Sequence, residues 1–383
     1  MALRPIRISD QISQLSISTR RTSRHARSCL GRTVPLRIGV MQLTMEPLEE
    51  ILGHAKALDR HGFDTIWLAE AYPWWRKHQM EARSSTVLSA LIAKETEQLT
   101  VGWGIISPFT RHPIQVAMDA RVTQELAPDR FILGFGASRI FMKEIGADDV
   151  KPLNPTRDAV RIVRGVLEGG EFSYEGKTFT AVVPALSEQA ESPRGTVPIY
   201  VAGTGPRMQR YAGEEGDGLL TASITTPGFI RYAKQNMREG AESTGRNVDD
   251  LDLGCTIVAS IDEDRDTGRQ GAREIAGMYL ANKVQNIQGS ADVLLEEAGL
   301  SQEEIRPIAE AMERGGRIAA AEAVTDEILD KCKPIAGTPN DCIAAIEEYM
   351  EAGCTHIMLE LWGDDRERQI ELFAEKVLPH FKR

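Results

Sequence analysis

From Leu36 onward the chain repeats one pattern, a short apolar run followed by an amphipathic helical stretch, at intervals of about 40 residues. The runs L-R-I-G-V-M-Q-L (36–43), D-T-I-W-L-A (64–69), L-T-V-G-W-G-I-I (99–106) and R-F-I-L-G-F-G (130–136) read as the first four strands. V-P-I-Y-V-A-G (197–203), D-G-L-L-T-A (217–222), L-D-L-G-C-T-I-V-A-S-I (251–261) and C-T-H-I-M-L-E-L (354–361) read as four more. Between them, apolar residues recur at helical spacing, as in Leu48, Ile51, Leu52, Ala55 and Leu58 after Pro47, with Gly62 closing that helix. Strands separated by helices pair in parallel. Eight of them predict a (β/α)8 barrel, with an open doubly wound sheet as the alternative.

Two segments break the rhythm. F-S-Y-E-G-K-T-F-T (172–180) reads as a small hairpin turning at Glu175-Gly176. Residues 263–350 are too many for one helix and hold several helical stretches, including 302–314 and 318–331. They are expected to form a helical insertion at the barrel mouth between strands seven and eight, within one barrel domain over 35–383; a separate bundle is the alternative.

Charge is unevenly spread. Residues 1–34 carry seven arginines against Asp10, a balance of +6 in a chain of net charge −11, which leaves −17 on the remainder. That Ser/Thr/Arg-rich segment has no sustained apolar face and reads as a disordered basic tail, a transit-like leader or an upstream start. The acidic remainder argues against a general nucleic-acid or anionic-membrane surface, and no apolar run approaches the roughly 20 residues that cross a bilayer. Five cysteines without close pairing fit a reducing compartment, hence a cytoplasmic location, and no His/Cys cluster suggests a metal.

In a parallel barrel the chemistry sits at the C-terminal ends of the strands. Glu70 ends the second and could hydrogen-bond a cofactor, supply acid–base chemistry or pair with a barrel arginine. Trp74 and Trp75 follow it and could stack on a ring system or lie in the core. Strand four ends in G-F-G-A-S-R (134–139) and strand five in G-T-G-P-R (203–207). Glycines let backbone N–H groups approach a ligand, a helix N-terminus favours negative charge, and Arg207 adds a charged donor, so the second loop suits a phosphate. Tight βα turns are the alternative for both loops.

At these segments the chain resembles the luciferase-like flavin and deazaflavin oxidoreductases, most of all the branch of coenzyme F420-dependent methylenetetrahydromethanopterin reductases. V-G-W-G-I-I-S-P-F-T-R-H-P resembles the third-strand segment in which a non-prolyl cis peptide props the cofactor ring, which implies Gly104-Ile105, with Ser107 beside it. The fourth-strand loop implies cofactor contacts from Ala137 and Ser138, and Y-V-A-G-T-G-P-R-M implies contacts from Thr204, Gly205, Arg207 and Met208 to the phosphate-bearing arm. Glu70 and Arg139 are then the catalytic candidates, and Trp74 faces the substrate.

The sequence departs from that branch in places. Glu70-Ala71 stands where many deazaflavin enzymes have Asp-His, Arg139 where they have an acid, and Met41 near a first-strand glutamate. Thr225 stands where sugar-phosphate dehydrogenases carry a lysine. These departures count against those two substrates and favour one with a negative or polar group near Arg139. The resemblance implies a coenzyme F420-dependent oxidoreductase, dimeric, acting on a small molecule; charge and the lack of a long apolar run argue for no nucleic-acid or membrane partner. An FMN-dependent monooxygenase fed by a separate reductase, and a cofactor-binding protein without catalysis, are the alternatives.

Overall fold

The computed structural model describes residues 35–70, 81–137, 142, 146–147, 149–184, 197–284, 291–362 and 365–382. Eight strands alternate with helices as the periodicity predicts: β1 (Arg37–Leu43), β2 (Thr65–Ala69), β3 (Thr100–Ile106), β4 (Phe131–Phe135), β7 (Ile199–Ala202), β8 (Gly218–Thr221), β9 (Asp252–Ile261) and β11 (His356–Leu361). Every neighbouring pair is parallel, and β11 joins both β1 and β9 while β9 also joins β8, so the sheet closes. The molecule is a (β/α)8 barrel; the open-sheet alternative falls.

Residues alternate between two cores along each strand. Ile66 and Leu68 of β2 join the large outer core, while Trp67 between them points inward with Ile132, Tyr200, Leu220 and Met358. Glycine makes room for this filling at Gly102, where an added Cβ would strike the Trp67 ring. Below, at the N-terminal strand ends, Arg37 pairs with Asp252 and also donates to the Tyr200 hydroxyl. His356 is fully buried against Thr65 Oγ1 (2.8 Å) and Trp67 Nε1 (3.2 Å). Burial, and then the Arg37 charge, push its pKa well below the usual histidine range, so the ring is neutral. The barrel is plugged at this end. It can open only at the other.

The outer helices are α1 (Leu48–Arg60), α2 (Ser85–Glu95), α3 (Pro113–Leu126), α4 (Leu153–Glu168), α5 (Pro206–Glu215) and α6 (Pro227–Ser243). Gly62 follows α1 with φ +75°, the left-handed conformation expected past a helix end. The hairpin pairs β5 (Phe172–Glu175) with β6 (Thr180–Val183), so its loop is Gly176–Phe179 and the second arm runs beyond the expected boundary. Asp158 of α4 sets that loop: it accepts the N–H groups of Thr178 (2.6 Å) and Phe179 (3.1 Å) and the Tyr174 hydroxyl (2.8 Å). The partner comes from another element, so local turn chemistry did not reveal it.

After β9 come α7 (Arg265–Val284), α8 (Ala291–Glu297), α9 (Gln302–Glu322) and α10 (Asp326–Cys332), then β10 (Ile335–Gly337) and α11 (Pro339–Glu351). Helices α7 to α10 share a core of their own, with Ile275, Leu280, Ile305, Ile308 and Leu329 fully or nearly buried. Gly316, at φ +69° and ψ −153°, breaks α9, and Thr325 starts α10 by accepting the Ile328 N–H. The helical stretch expected over 318–331 is therefore two pieces. The last helix, α11, instead puts Cys342, Ile346 and Tyr349 into the barrel's outer core. β10 pairs in parallel with the last three residues of β9 and is too short to show a period. The chain closes with α12 (Arg366–Leu372), a wider-wound stretch Phe373–Val377 and α13 (Leu378–Phe381).

Candidate active site

A cavity of about 650 Å³ opens toward the C-terminal ends of the strands, and each of the eight contributes a lining residue, β9 through Thr256 at mid-strand. Its floor is the top of the inward core: Met41, Ile105, Ala202, Leu220 and Met358. This surface is apolar and made of side chains that a flat ring can rest on. The Gly104–Ile105 peptide is cis, and the β3–β4 pairing shifts register between Trp103 and Ile106. Gly136 keeps the floor open on the β4 side, since a Cβ there would stand 2.7 Å from Ile105 Cδ1 and 2.8 Å from Ala202 Cβ.

One wall is the loop after β7. Gly205 is the N-cap of α5 and Pro206 its first residue, which presents the helix N-terminus to the cavity. A Cβ added at Gly205 would meet nothing within 4 Å, so the space beside this backbone is open. Arg207 is exposed on the same turn and makes no hydrogen bond or ion pair among the described residues. An exposed guanidinium and a helix N-terminus together suit an anionic group.

The opposite wall is α7, from which Tyr279 and Lys283, one turn apart, reach the cavity. Burial lowers the Lys283 pKa to about 8, so its ammonium is poised near neutral pH. Tyr279 donates to Glu360 of β11, whose carboxylate also accepts from Ser223 Oγ (2.8 Å) and Trp362 Nε1 (3.2 Å). Glu360 is fully buried, and burial raises its pKa against the pull of these donors.

Of the residues singled out from sequence, Glu70, Gly104, Ile105, Ala137, Thr204, Gly205, Arg207 and Met208 all line this one cavity. Ser107 does not. It is fully buried, its hydroxyl accepting the Phe109 N–H (3.3 Å) and its carbonyl the Thr110 hydroxyl (3.0 Å), so it shapes the turn behind the site. Glu70 is present but engaged, with Arg111 at 3.0 Å on one oxygen and the Ser85 N–H at the start of α2 at 3.3 Å on the other. Trp74, Ser138 and Arg139 lie outside the described residues. Sequence reasoning passed over Glu360, Tyr279 and Lys283. A lone carboxylate inside H-I-M-L-E-L, one residue from the strand's end, was a usable signal for Glu360; only the fold brings the two α7 residues to the mouth.

A larger groove of about 880 Å³ lies between the start of α6 and the ends of α8, α10 and α11. Its walls mix charges, among them Arg231, Glu297, Glu327 and Lys331, and no strand residue lines it. The strand-end cavity is the candidate active site.

Barrel and cavity together define a (β/α)8 protein whose strand-end cavity has an apolar floor and a helix N-terminus in one wall. The chain belongs to the luciferase-like monooxygenase family, whose profile matches residues 30–356. Among its relatives is the 5,10-methylenetetrahydromethanopterin reductase of Archaeoglobus fulgidus, 30% identical over 339 residues that cover 87% of this chain and 96% of that protein. The F420-dependent glucose-6-phosphate dehydrogenase of Mycolicibacterium gilvum is 27% identical over 345 residues, covering 87% and 94%. The solved coenzyme F420-dependent tetrahydromethanopterin reductase of Methanopyrus kandleri superposes with a TM-score of 0.77 at 29% identity, covering 91% of this chain and all of that one.

Proposed function

We propose that this protein is a coenzyme F420-dependent oxidoreductase that moves hydride between the deazaflavin and a small organic substrate. The cavity carries this reading: an apolar floor for a ring system and, across it, an open backbone turn with an exposed Arg207 that has no partner among the described residues, suited to an acidic arm. Gly104, Ile105 and Ala137 would hold the ring, and Thr204, Gly205, Arg207 and Met208 the phosphate-bearing arm. The deazaflavin supplies a carbon that carries hydride and does not activate oxygen as a flavin does. The protein's part is to orient the substrate, exclude water and manage the accompanying proton. Relatives named as F420-dependent match the chain over nearly its full described length, which supports the deazaflavin over FMN.

The experiment is an equilibrium titration of purified protein with deazaflavin and, separately, with FMN, followed by cofactor fluorescence. Saturable binding of the deazaflavin at concentrations where FMN does not bind is expected. The reverse order moves the protein to the FMN monooxygenase reading.

A second copy of the chain completes the proposal. Ten large hydrophobic side chains are exposed among the described residues, and five lie on the neighbouring helices α2 and α3: Val87, Leu91, Met118, Val122 and Leu126. The spacing of four within each helix makes a stripe, and such a patch marks an interface. A homodimer through α2 and α3 would cover it. No helix among the described residues is long and apolar enough to cross a membrane, and the four described cysteines are free and buried, which favours a cytoplasmic location.

A further inference from the structure

Two carboxyl groups line the strand-end cavity among the described residues, Glu70 and Glu360. Glu70 is bound to Arg111 and to the N-terminus of α2, so its charge is already neutralised by fixed partners. Among the described residues Glu360 has no cationic hydrogen-bond partner. Its donors are the Tyr279 hydroxyl, Ser223 Oγ and Trp362 Nε1, from three different elements or loops, and its side chain is wholly removed from solvent.

The charged and titratable groups around it complete the picture. Burial, then the proximity of Glu360 itself, raise the Tyr279 pKa well above the usual phenol, so it stays a donor. Lys283 lines the cavity one turn further along α7. Arg366 of α12 acts on Glu360 from a distance and is paired with Glu46, and Arg317 lies over the Trp362 ring, 5.6 Å from its centre. Burial therefore dominates, and the carboxyl holds a proton above the usual carboxylate range.

We infer that Glu360 is the acid–base residue of the hydride transfer, positioned by Tyr279, Ser223 and Trp362, and that the substrate has a polarised double bond from carbon to oxygen or nitrogen. The inference rests on the deazaflavin reading above. In the reducing direction a hydride adds its two electrons to the substrate carbon, the π bond to the heteroatom breaks, and the heteroatom takes the proton as the Glu360 O–H bond opens. The substrate is reduced by two electrons and the hydride's source is oxidised by the same two. The new carboxylate meets three donors already aimed at it, so little has to rearrange, and water returns the proton afterwards. In the oxidising direction each step reverses, with the carboxylate taking the hydroxyl or amine proton.

Two measurements test this. Infrared difference spectra of cofactor-free protein, wild type against Glu360→Gln, should show a protonated-carboxyl stretch that persists above the usual carboxylate range and fades as pH rises further. Tyr279→Phe removes a donor to the charged form and should carry that band to higher pH. A wild-type band that is lost within the usual carboxylate range overturns the inference. With reduced deazaflavin and three probes (acetone, cyclohexanone and a neutral cyclic imine), Glu360→Gln should lower kcat about 10²–10⁴-fold on whichever probe the wild type reduces. Deazaflavin affinity should change less than about threefold, a loss far below that of a phosphate contact, and Glu360→Asp should recover part of kcat. Unchanged kcat and pH profile in Glu360→Gln with normal deazaflavin binding overturn the role of Glu360 alone. Wild type that binds deazaflavin but reduces none of the probes overturns the substrate class, and wild type that does not bind it overturns the functional reading itself.

Discussion

Arg207 and Glu70 show how differently two charged residues of one cavity can be employed. Arg207 is exposed at the start of α5 without a partner among the described residues, whereas Glu70 spends both oxygens on Arg111 and the start of α2. Arg207→Ala should weaken deazaflavin binding by about 1–3 kcal/mol, and by much less for a fragment lacking the phosphate. Titrating both ligands checks this; equal losses would show that Arg207 acts elsewhere. Glu70→Gln keeps an acceptor for the Ser85 N–H but gives up the ion pair. It should lower the melting midpoint and reduce turnover less than Glu360→Gln does, measured by thermal unfolding and kcat. Glu70 was visible in the sequence as a strand-end acid, but its commitment to Arg111, 41 residues away, was not. Glycines and loop residues of the cavity were legible because they follow apolar strands directly; Tyr279 and Lys283 sit on a helix whose sequence pattern speaks only of packing.

At the scale of elements, alternation and helical spacing were enough to place all eight barrel strands, because each is buried on both faces and reads as an apolar run. What escaped was decided by single side chains at long range or by very short pieces: Asp158 setting the β5–β6 loop, Gly316 breaking α9, and three-residue β10. The start of α9 offers a test of local reasoning. Ser301 and Glu304 form a reciprocal capping box, and Lys331 holds Glu304 at 2.6 Å. The Lys331 contact first, then Ser301, lower the Glu304 pKa from 4.5 to about 2. A depressed acid stabilises the fold fully above its unfolded pKa and loses that contribution as pH falls through the folded one. Glu304→Gln should therefore be less stable than wild type at neutral pH, and the difference should shrink between pH 4.5 and about 2. Urea titrations across that range read it. A constant difference would mean that the contact acts through geometry alone.

For the whole molecule, a plugged barrel bottom and an open top leave one end for chemistry, and the proposed homodimer would cover the exposed apolar stripe on α2 and α3. Met118→Glu together with Val122→Glu puts charge into that stripe and should turn a dimer into a folded monomer, as read by light scattering and circular dichroism. A wild-type monomer would contradict the assembly. The central claim is hydride transfer with a deazaflavin at the barrel mouth, and isotope transfer tests it most directly. Reduced deazaflavin carrying deuterium at its hydride-bearing carbon is mixed with the protein and the carbonyl and imine probes, and the products are analysed by mass spectrometry while oxygen is monitored. Deuterium bonded to the former carbonyl or imine carbon, with no oxygen consumed, is the predicted result. Oxygen consumed in step with reduced FMN, oxygenated product and no deuterium transfer from the deazaflavin would contradict it.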